Sequence, residues 1–350
     1  MELVTIGAFA RMARLSAKAL RLYDELGLLR PAEVDEGNGY RYYDPAQVER
    51  ARLIAWLRRL DMPLARIRLV CELPAAAAAS EVAAYWQRVV ADTAAREQLA
   101  TFLIDHLSGR DTDIGEAALA IRYAARSAVG MVRTSNEDIA FAGERLWAVA
   151  DGVGGRAGGL ASEAAVNALK PLENLAVPTA ELLNVLADAV DRATEAVREI
   201  GAKAATTLTA ALWSGTRLAL VHVGDSRAYL LRAGDLFHFT HDHTYVQAMV
   251  DEGRLTAAEA ESHPDRALLV QAVGGKTEPR PDFSLHSAVA GDRYLLCSDG
   301  LSRVVEESSL RAALAGPGEP ARIVDELIRL AYESGAPDNI ACVVADVVKV

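Results

Sequence analysis

Asp151-Gly152-Val153-Gly154-Gly155 follows the apolar run Leu146-Trp147-Ala148-Val149-Ala150, which reads as a buried strand stopping at a carboxylate. The glycines allow a sharp turn and bring a backbone carbonyl close to whatever the carboxylate holds. Alone, an Asp-Gly pair after a strand is usually only a turn. Four more acidic residues stand in comparable places. They are Asp138 in Asn136-Glu137-Asp138, Asp225 in Gly224-Asp225-Ser226-Arg227, Asp299 in Ser298-Asp299-Gly300 and Asp338 in Pro337-Asp338-Asn339. Several border apolar runs, where an unpaired charge is costly, so convergence on hard divalent cations keeps them ionised. All-oxygen donors select Mg²⁺ or Mn²⁺ over Zn²⁺.

Around this stretch, from residue 120 to 350, short apolar runs alternate with helical patterns. Strands are expected at residues 146–150, 207–213, 218–223, 228–231, 293–297 and 340–347. Helices are expected at 159–169, 180–200, 245–252, 256–261 and 320–334. The mixture predicts an α+β domain, an antiparallel β-sandwich flanked by helices.

The five acidic motifs, with Thr206-Thr207-Leu208-Thr209 and Tyr294-Leu295-Leu296-Cys297-Ser298-Asp299-Gly300-Leu301, resemble the metal-dependent type 2C (PPM) Ser/Thr protein phosphatases. That resemblance implies two Mn²⁺ or Mg²⁺ ions, with Asp151 bridging them and the Gly152 carbonyl binding one. It implies Asp299 and Asp338 on the second ion, Asp138 on metal-bound water, and a third ion at Asp225 with Asp299. Arg133 matches the position that grips the substrate phosphate. Asp151, Asp138 and Arg133 are thus the catalytic candidates, and no Cys or Ser nucleophile is needed. Animal members carry His where this chain has Val153, which leaves the general acid unassigned. His243, in Thr240-His241-Asp242-His243-Thr244, reads either as loop structure or as a participant in the chemistry.

Residues 1–73 read differently. Thr5 and Ser16 are placed to cap two short amphipathic helices joined by a turn at Arg14-Leu15. A Gly37-Asn38-Gly39 hairpin leads into Tyr40-Arg41-Tyr42-Tyr43. Two further helices are expected from Asp44-Pro45 and at residues 64–72. Leu20 through Leu29 and Asn38 through Tyr43 resemble the MerR-type winged helix-turn-helix domain in order and spacing. The resemblance implies binding to double-stranded promoter DNA, with Lys18, Arg21, Tyr23, Tyr40, Arg41 and Tyr42 near the phosphates. Tyr23 and Tyr43 read equally well as core packing.

Residues 1–75 carry 12 Lys/Arg against 10 Asp/Glu, whereas the rest carries 25 against 38. A slightly basic head on an acidic chain is compatible with nucleic acid without requiring it. Residues 74–115 form the connection. It has an alanine-rich spacer to Ser80, a helix over 81–107 and a linker over 108–115. Val82, Trp86, Val89, Thr93, Ala100, Leu103 and Leu107 fall near heptad spacing, interrupted by Arg96. This helix is either the seam of a homodimer or an amphipathic helix packed on its own chain. Cys71, Cys297 and Cys342 make no metal-ligating or disulfide pattern, which argues against a metal- or iron–sulfur-sensing head. No run is long enough to span a membrane, no secretory pattern opens the sequence, and a cytoplasmic location is expected.

The sequence therefore predicts a multidomain chain, an all-α winged helix-turn-helix head with a dimerisation helix, then an α+β phosphatase domain. Its expected activity is hydrolysis of phosphoserine or phosphothreonine in a phosphoprotein, coupled to promoter binding and transcriptional regulation. Two rivals are a regulator whose body is an inactive phosphoprotein or ligand sensor, and a phosphatase whose head only dimerises or contacts protein.

Overall fold

The computed structural model describes residues 2–35, 37–107, 119–175, 177–252, 254–275 and 277–350, and the linker expected at 108–115 lies outside them. The chain forms two compact units. One comprises residues 1–92 with 245–267, the other residues 93–244 with 268–350.

In the first unit the caps act as the sequence suggests. Thr5 accepts from the Ala8 amide ahead of helix Ile6–Ala13, and Ser16 from the Ala19 amide ahead of helix Ala17–Glu25. Strands Glu33–Val34 and Arg41–Tyr43 form the wing, and Val4–Thr5 adds a third strand beside Arg41–Tyr43. Asp44 builds a capping box with Gln47 at a short 3₁₀ turn that leads into helix Val48–Arg59, and helix Leu64–Glu72 follows. Phe9, Leu20, Tyr43, Ile54, Met62 and Ile67 close the core, with the Phe9 and Tyr43 rings stacked 4.6 Å apart.

The alanine-rich spacer is a correction to the sequence reading. Residues 75–80 are the first turns of one helix, Ala75–Leu107. Alanine is the strongest helix former, and Pro74 just before it accepts from the Ala78 amide without disturbing the ladder. Ala78, Val82 and Tyr85 pack on the head core, so the start of this helix is covered by its own chain. Trp86 and Val90 are exposed.

Helices Tyr245–Asp251 and Ala257–Ser262 group with the head. Arg66, 3% exposed, pairs with Glu81 at 3.3 Å and donates to the Val250 carbonyl at 3.4 Å.

The second unit is a four-layer sandwich of helices, sheet, sheet and helices. One sheet has six strands, ordered Asp282–Ser287, Arg217–Val223, Leu208–Ser214, Leu146–Val153 and Asp138–Ala142 along its path, with Ala205–Thr206 pairing Leu146–Val153 off that path. The other has five, ordered Asp235–His238, Arg227–Arg232, Arg293–Cys297, Ile340–Lys349 and Leu119–Ala128. Every pairing is antiparallel.

Side-chain alternation explains why Leu146–Ala150 is apolar throughout. Trp147 and Val149 face the other sheet, where they meet Tyr294, Leu296, Val343 and Ala345. Leu146, Ala148 and Ala150 face helices Arg156–Leu169 and Leu182–Ile200. Helices Glu307–Ala315 and Pro320–Glu333 cover the outer face of the second sheet.

Candidate active site

Antiparallel register sets Asp138 directly opposite Asp151, at the ends of two neighbouring strands. The Asp151 peptide unit is clamped by the paired threonines. Thr207 Oγ1 accepts from the Asp151 amide at 2.9 Å, and Thr206 Oγ1 and the Thr207 amide donate to the Asp151 carbonyl, each at 2.9 Å. Gly152 admits no side chain. A Cβ there would lie 2.2 Å from the Gly158 carbonyl oxygen and 2.8 Å from that of Glu137.

Asp225 occupies the turn between strands Arg217–Val223 and Arg227–Arg232. His243 holds this turn, because its amide donates to the Gly224 carbonyl at 2.7 Å and its Nδ1 accepts from the Gly224 amide at 3.2 Å. Its Nε2 reaches Asp282 at 3.1 Å. These contacts give His243 the structural role of the two readings open to it.

Asp299 starts the short helix Asp299–Ser302, and Asp338 stands just before strand Ile340–Lys349. The two segments touch. A Cβ on Gly300 would lie 1.8 Å from the Asn339 carbonyl oxygen. Asn339, 4% exposed, fixes the loop opposite. Its Oδ1 accepts from the Glu137 amide at 2.8 Å, while its Nδ2 donates to the carbonyls of Val129 and Ser135 at 2.8 and 2.9 Å.

The carboxyls act strongly on one another. Burial pushes Asp138 up to about 7, with the charges of Asp299 and Asp338 adding to the rise and Ser298 opposing it. Asp151 is held well above the carboxylate range by burial, then by Asp138, Asp299 and Asp225. Burial pushes Asp225 up to about 7, Asp299 adds to it, and Arg303 works against it. Asp138 Oδ2 is buried and has no hydrogen-bond partner among the described residues. A buried carboxylate oxygen left unpaired among like charges is what a cation would satisfy.

Oxygen donors alone converge here, which suits Mg²⁺ or Mn²⁺. Among the described residues no group of three His, Cys, Asp or Glu is set at ion-holding spacing as it stands. Arginines contact three of these carboxylates. Arg133 donates to Asp338 Oδ2 at 2.8 Å, and Arg303 reaches Asp225 at 2.5 Å and Asp299 at 3.0 Å. Arg133, expected to grip phosphate, is 54% exposed in its side chain and sits beside the cluster. Val153 is 46% exposed and offers no proton. Cys297 and Cys342 are fully buried partners in adjacent strands, and burial pushes the Cys297 thiol up to about 12, so neither is a nucleophile.

Arg303 was not singled out in the sequence. Its signal was the i,i+4 spacing from Asp299 on one helical turn. Asn339 was quoted only as the neighbour of Asp338.

On the head, Lys18 and Arg21 are exposed on helix Ala17–Glu25, and Tyr40 is 57% exposed at the wing. Tyr42 is half-buried, and Arg41 is held by Asp24 at 2.6 Å. Tyr23 is only 7% exposed and belongs to the core. That matches the core-packing reading of its ring.

Residues 133–343 match the family model for protein phosphatase 2C, and residues 4–73 match that of the MerR HTH family regulatory proteins. The serine/threonine protein phosphatase PstP of Mycobacterium tuberculosis is 48% identical over 242 residues, 67% of this chain and 46% of PstP. The chain thus spans about half the length of that relative. Protein phosphatase PhpP of Streptococcus pneumoniae is 32% identical over 225 residues, covering 61% of this chain and 92% of PhpP. The M. tuberculosis PstP/Ppp crystal structure superposes with a TM-score of 0.62 at 47% identity, covering 66% of this chain and 100% of that one. The PstP catalytic domain in complex with 2 manganese ions superposes with a TM-score of 0.61, covering the same shares of both chains at the same identity.

Proposed function

We propose a function from one premise: the chain belongs to the protein phosphatase 2C family, through residues 133–343. The second unit hydrolyses phosphoserine and phosphothreonine in proteins with two Mn²⁺ or Mg²⁺ ions. Relatives named Ser/Thr phosphatases and the manganese-bound PstP domain support this reading. The observation that carries it is the mutual influence of Asp138, Asp151, Asp299 and Asp338, with a buried Asp138 oxygen that has no hydrogen-bond partner among the described residues.

Asp151, the Gly152 carbonyl, Asp299 and Asp338 would hold the ions, and Asp138 would hold a water bound to them. Bound divalent ions supply a water of lowered pKa and positive charge for the phosphoryl oxygens. The chain's own residues do the rest. Thr206 and Thr207 keep Asp151 from shifting, Gly152 leaves room for the close approach of Gly158 and Glu137, and Asn339 fixes the loop that carries Arg133 and Asp138. The exposed Arg133–Asp338 pair costs little to open, about 0–1 kcal/mol. Arg133 is therefore available to a phosphate, which a guanidinium binds in bidentate fashion.

The test is Mn²⁺-dependent hydrolysis of p-nitrophenyl phosphate by the full chain, with Asp151→Ala and Asp299→Ala each lowering turnover at least about 100-fold. Absence of turnover at every Mn²⁺ concentration would leave the sensor reading, which the arginines seated on Asp225, Asp299 and Asp338 favour.

The head places this activity on double-stranded promoter DNA, through Lys18, Arg21, Tyr40, Arg41 and Tyr42. Its match to the MerR HTH family supports that placement. Helix Ala75–Leu107 joins two copies, because Trp86 and Val90 leave apolar surface exposed beyond the part that packs on the head. Among the described residues no helix is long and apolar enough to cross a membrane. A cytoplasmic location follows from the DNA-binding reading. Gel shifts with Arg21→Ala and Arg41→Ala, at two salt concentrations, test the head. Unchanged affinity in both variants would assign it to dimerisation or protein contact instead.

A further inference from the structure

Arg303 closes the helical turn that Asp299 opens, and its guanidinium folds back across both acidic segments. Nη1 lies 3.0 Å from Asp299 Oδ2, and Nη2 lies 2.5 Å from Asp225 Oδ2. The three side chains are 26%, 15% and 6% exposed, so this is an enclosed contact and not a surface pair. Asp225 has little freedom to leave it, because its turn is bound on the other side by two hydrogen bonds between Gly224 and His243.

Two carboxylates on different segments, facing one another, are a natural bridge for a divalent ion. Here a guanidinium already makes that bridge, with one amino group on each oxygen. Arginine keeps its charge at any pH the fold survives, and its planar fork suits two acceptors at once. The contrast with Arg133 is instructive: that side chain is 54% exposed and its carboxylate partner 38%, so water can replace either.

We propose that Arg303 is a tethered cation that fills the Asp225–Asp299 bridge, so that this chain takes two divalent ions and Asp225 is not a metal ligand. The proposal rests on the metal-dependent reading above and sets its stoichiometry. Arg303 also restrains Asp299, which shares it, and so positions one ligand of the remaining pair.

Mn²⁺ bound per full-length chain, counted by equilibrium dialysis and by titration calorimetry, tests this without reference to turnover. The wild type takes two ions, and so does Asp225→Asn. Arg303→Met, which keeps the stem and removes the charge, takes a third weaker ion. Arg303→Lys stays at two. Adding Asp225→Asn to Arg303→Met returns the count to two. Three ions in the wild type, two in Arg303→Met, or one in Asp225→Asn would overturn the proposal while leaving the metal centre standing. No ion in the wild type would overturn the metal centre and Arg303's role together. Should Arg303→Met not fold, judged by circular dichroism in EDTA, the Asp225→Asn count decides by itself.

Discussion

Thr207 is buried and holds both sides of Asp151, accepting from its amide and donating to its carbonyl, while its hydroxyl also meets Ser226 Oγ at 2.7 Å. Thr207→Val keeps the shape and strands two polar partners. The expected loss is about 1–3 kcal/mol in urea denaturation, with Thr207→Ser recovering most of it. A loss below about 0.5 kcal/mol would contradict the clamp. The five acidic residues drew notice in the sequence because each lies at a strand end or tight turn. Asn339 and Arg303 were not, since their work depends on partners brought near only by the fold: Glu137 is 202 residues from Asn339 and Asp225 is 78 from Arg303. Tyr23 stayed open in the sequence, as an aromatic in a helix reads the same whether it faces DNA or the core, and it is buried.

At the scale of elements, the strands with alternating or continuous apolar runs were found within a few residues of their ends. Leu119–Ala128 was missed because two arginines interrupt its apolar run. Arg122 and Arg126 pair with Glu319, the residue capping helix Pro320–Glu333, and with Asp325 on that helix. Strand Asp282–Ser287 was missed for a similar reason, as it is an edge strand with an exposed first half.

Two edge-region histidines give a pH dependence. His222 is 1% exposed, hydrogen-bonded to Thr209 and to the His241 carbonyl, and burial lowers it to about 4, with His243 adding to the fall. His286, beside Ser284 and stacked on Phe239, is lowered to about 4 by burial and then by Arg232. Both take up a proton in the unfolded chain near pH 6.5 and resist it when folded. Their contribution to stability is therefore present above pH 6.5 and lost as pH falls through about 4. Between pH 7 and pH 5 each is expected to cost about 2 kcal/mol. Urea midpoints for His222→Gln and His286→Gln should show a shallower acid loss than the wild type, and parallel curves would contradict this.

The whole molecule joins a head that the MerR HTH family model covers to a body of the protein phosphatase 2C family. Both halves were legible, because each carries its own periodicity and turn chemistry. The grouping of residues 245–267 with the head was not, since nothing local in those helices marks the buried Arg66 that donates to Val250. Nor was the continuity of helix Ala75–Leu107, where a run of alanines passes for a spacer until its first turns are found packed on the head. If that helix joins two copies, Trp86→Glu with Val90→Glu should give monomers by analytical ultracentrifugation while leaving the head folded. A dimer surviving both charges would place the seam elsewhere.

This carboxylate centre is expected to make the chain a Ser/Thr phosphatase. Phosphate release from a phosphothreonine peptide and its phosphotyrosine counterpart, by the full chain with and without Mn²⁺, tests it most directly. The expected result is saturable Mn²⁺-dependent release from the phosphothreonine peptide, lost in Asp151→Ala and absent for phosphotyrosine. Release that is indifferent to Mn²⁺, or none from a chain that binds Mn²⁺, would contradict it.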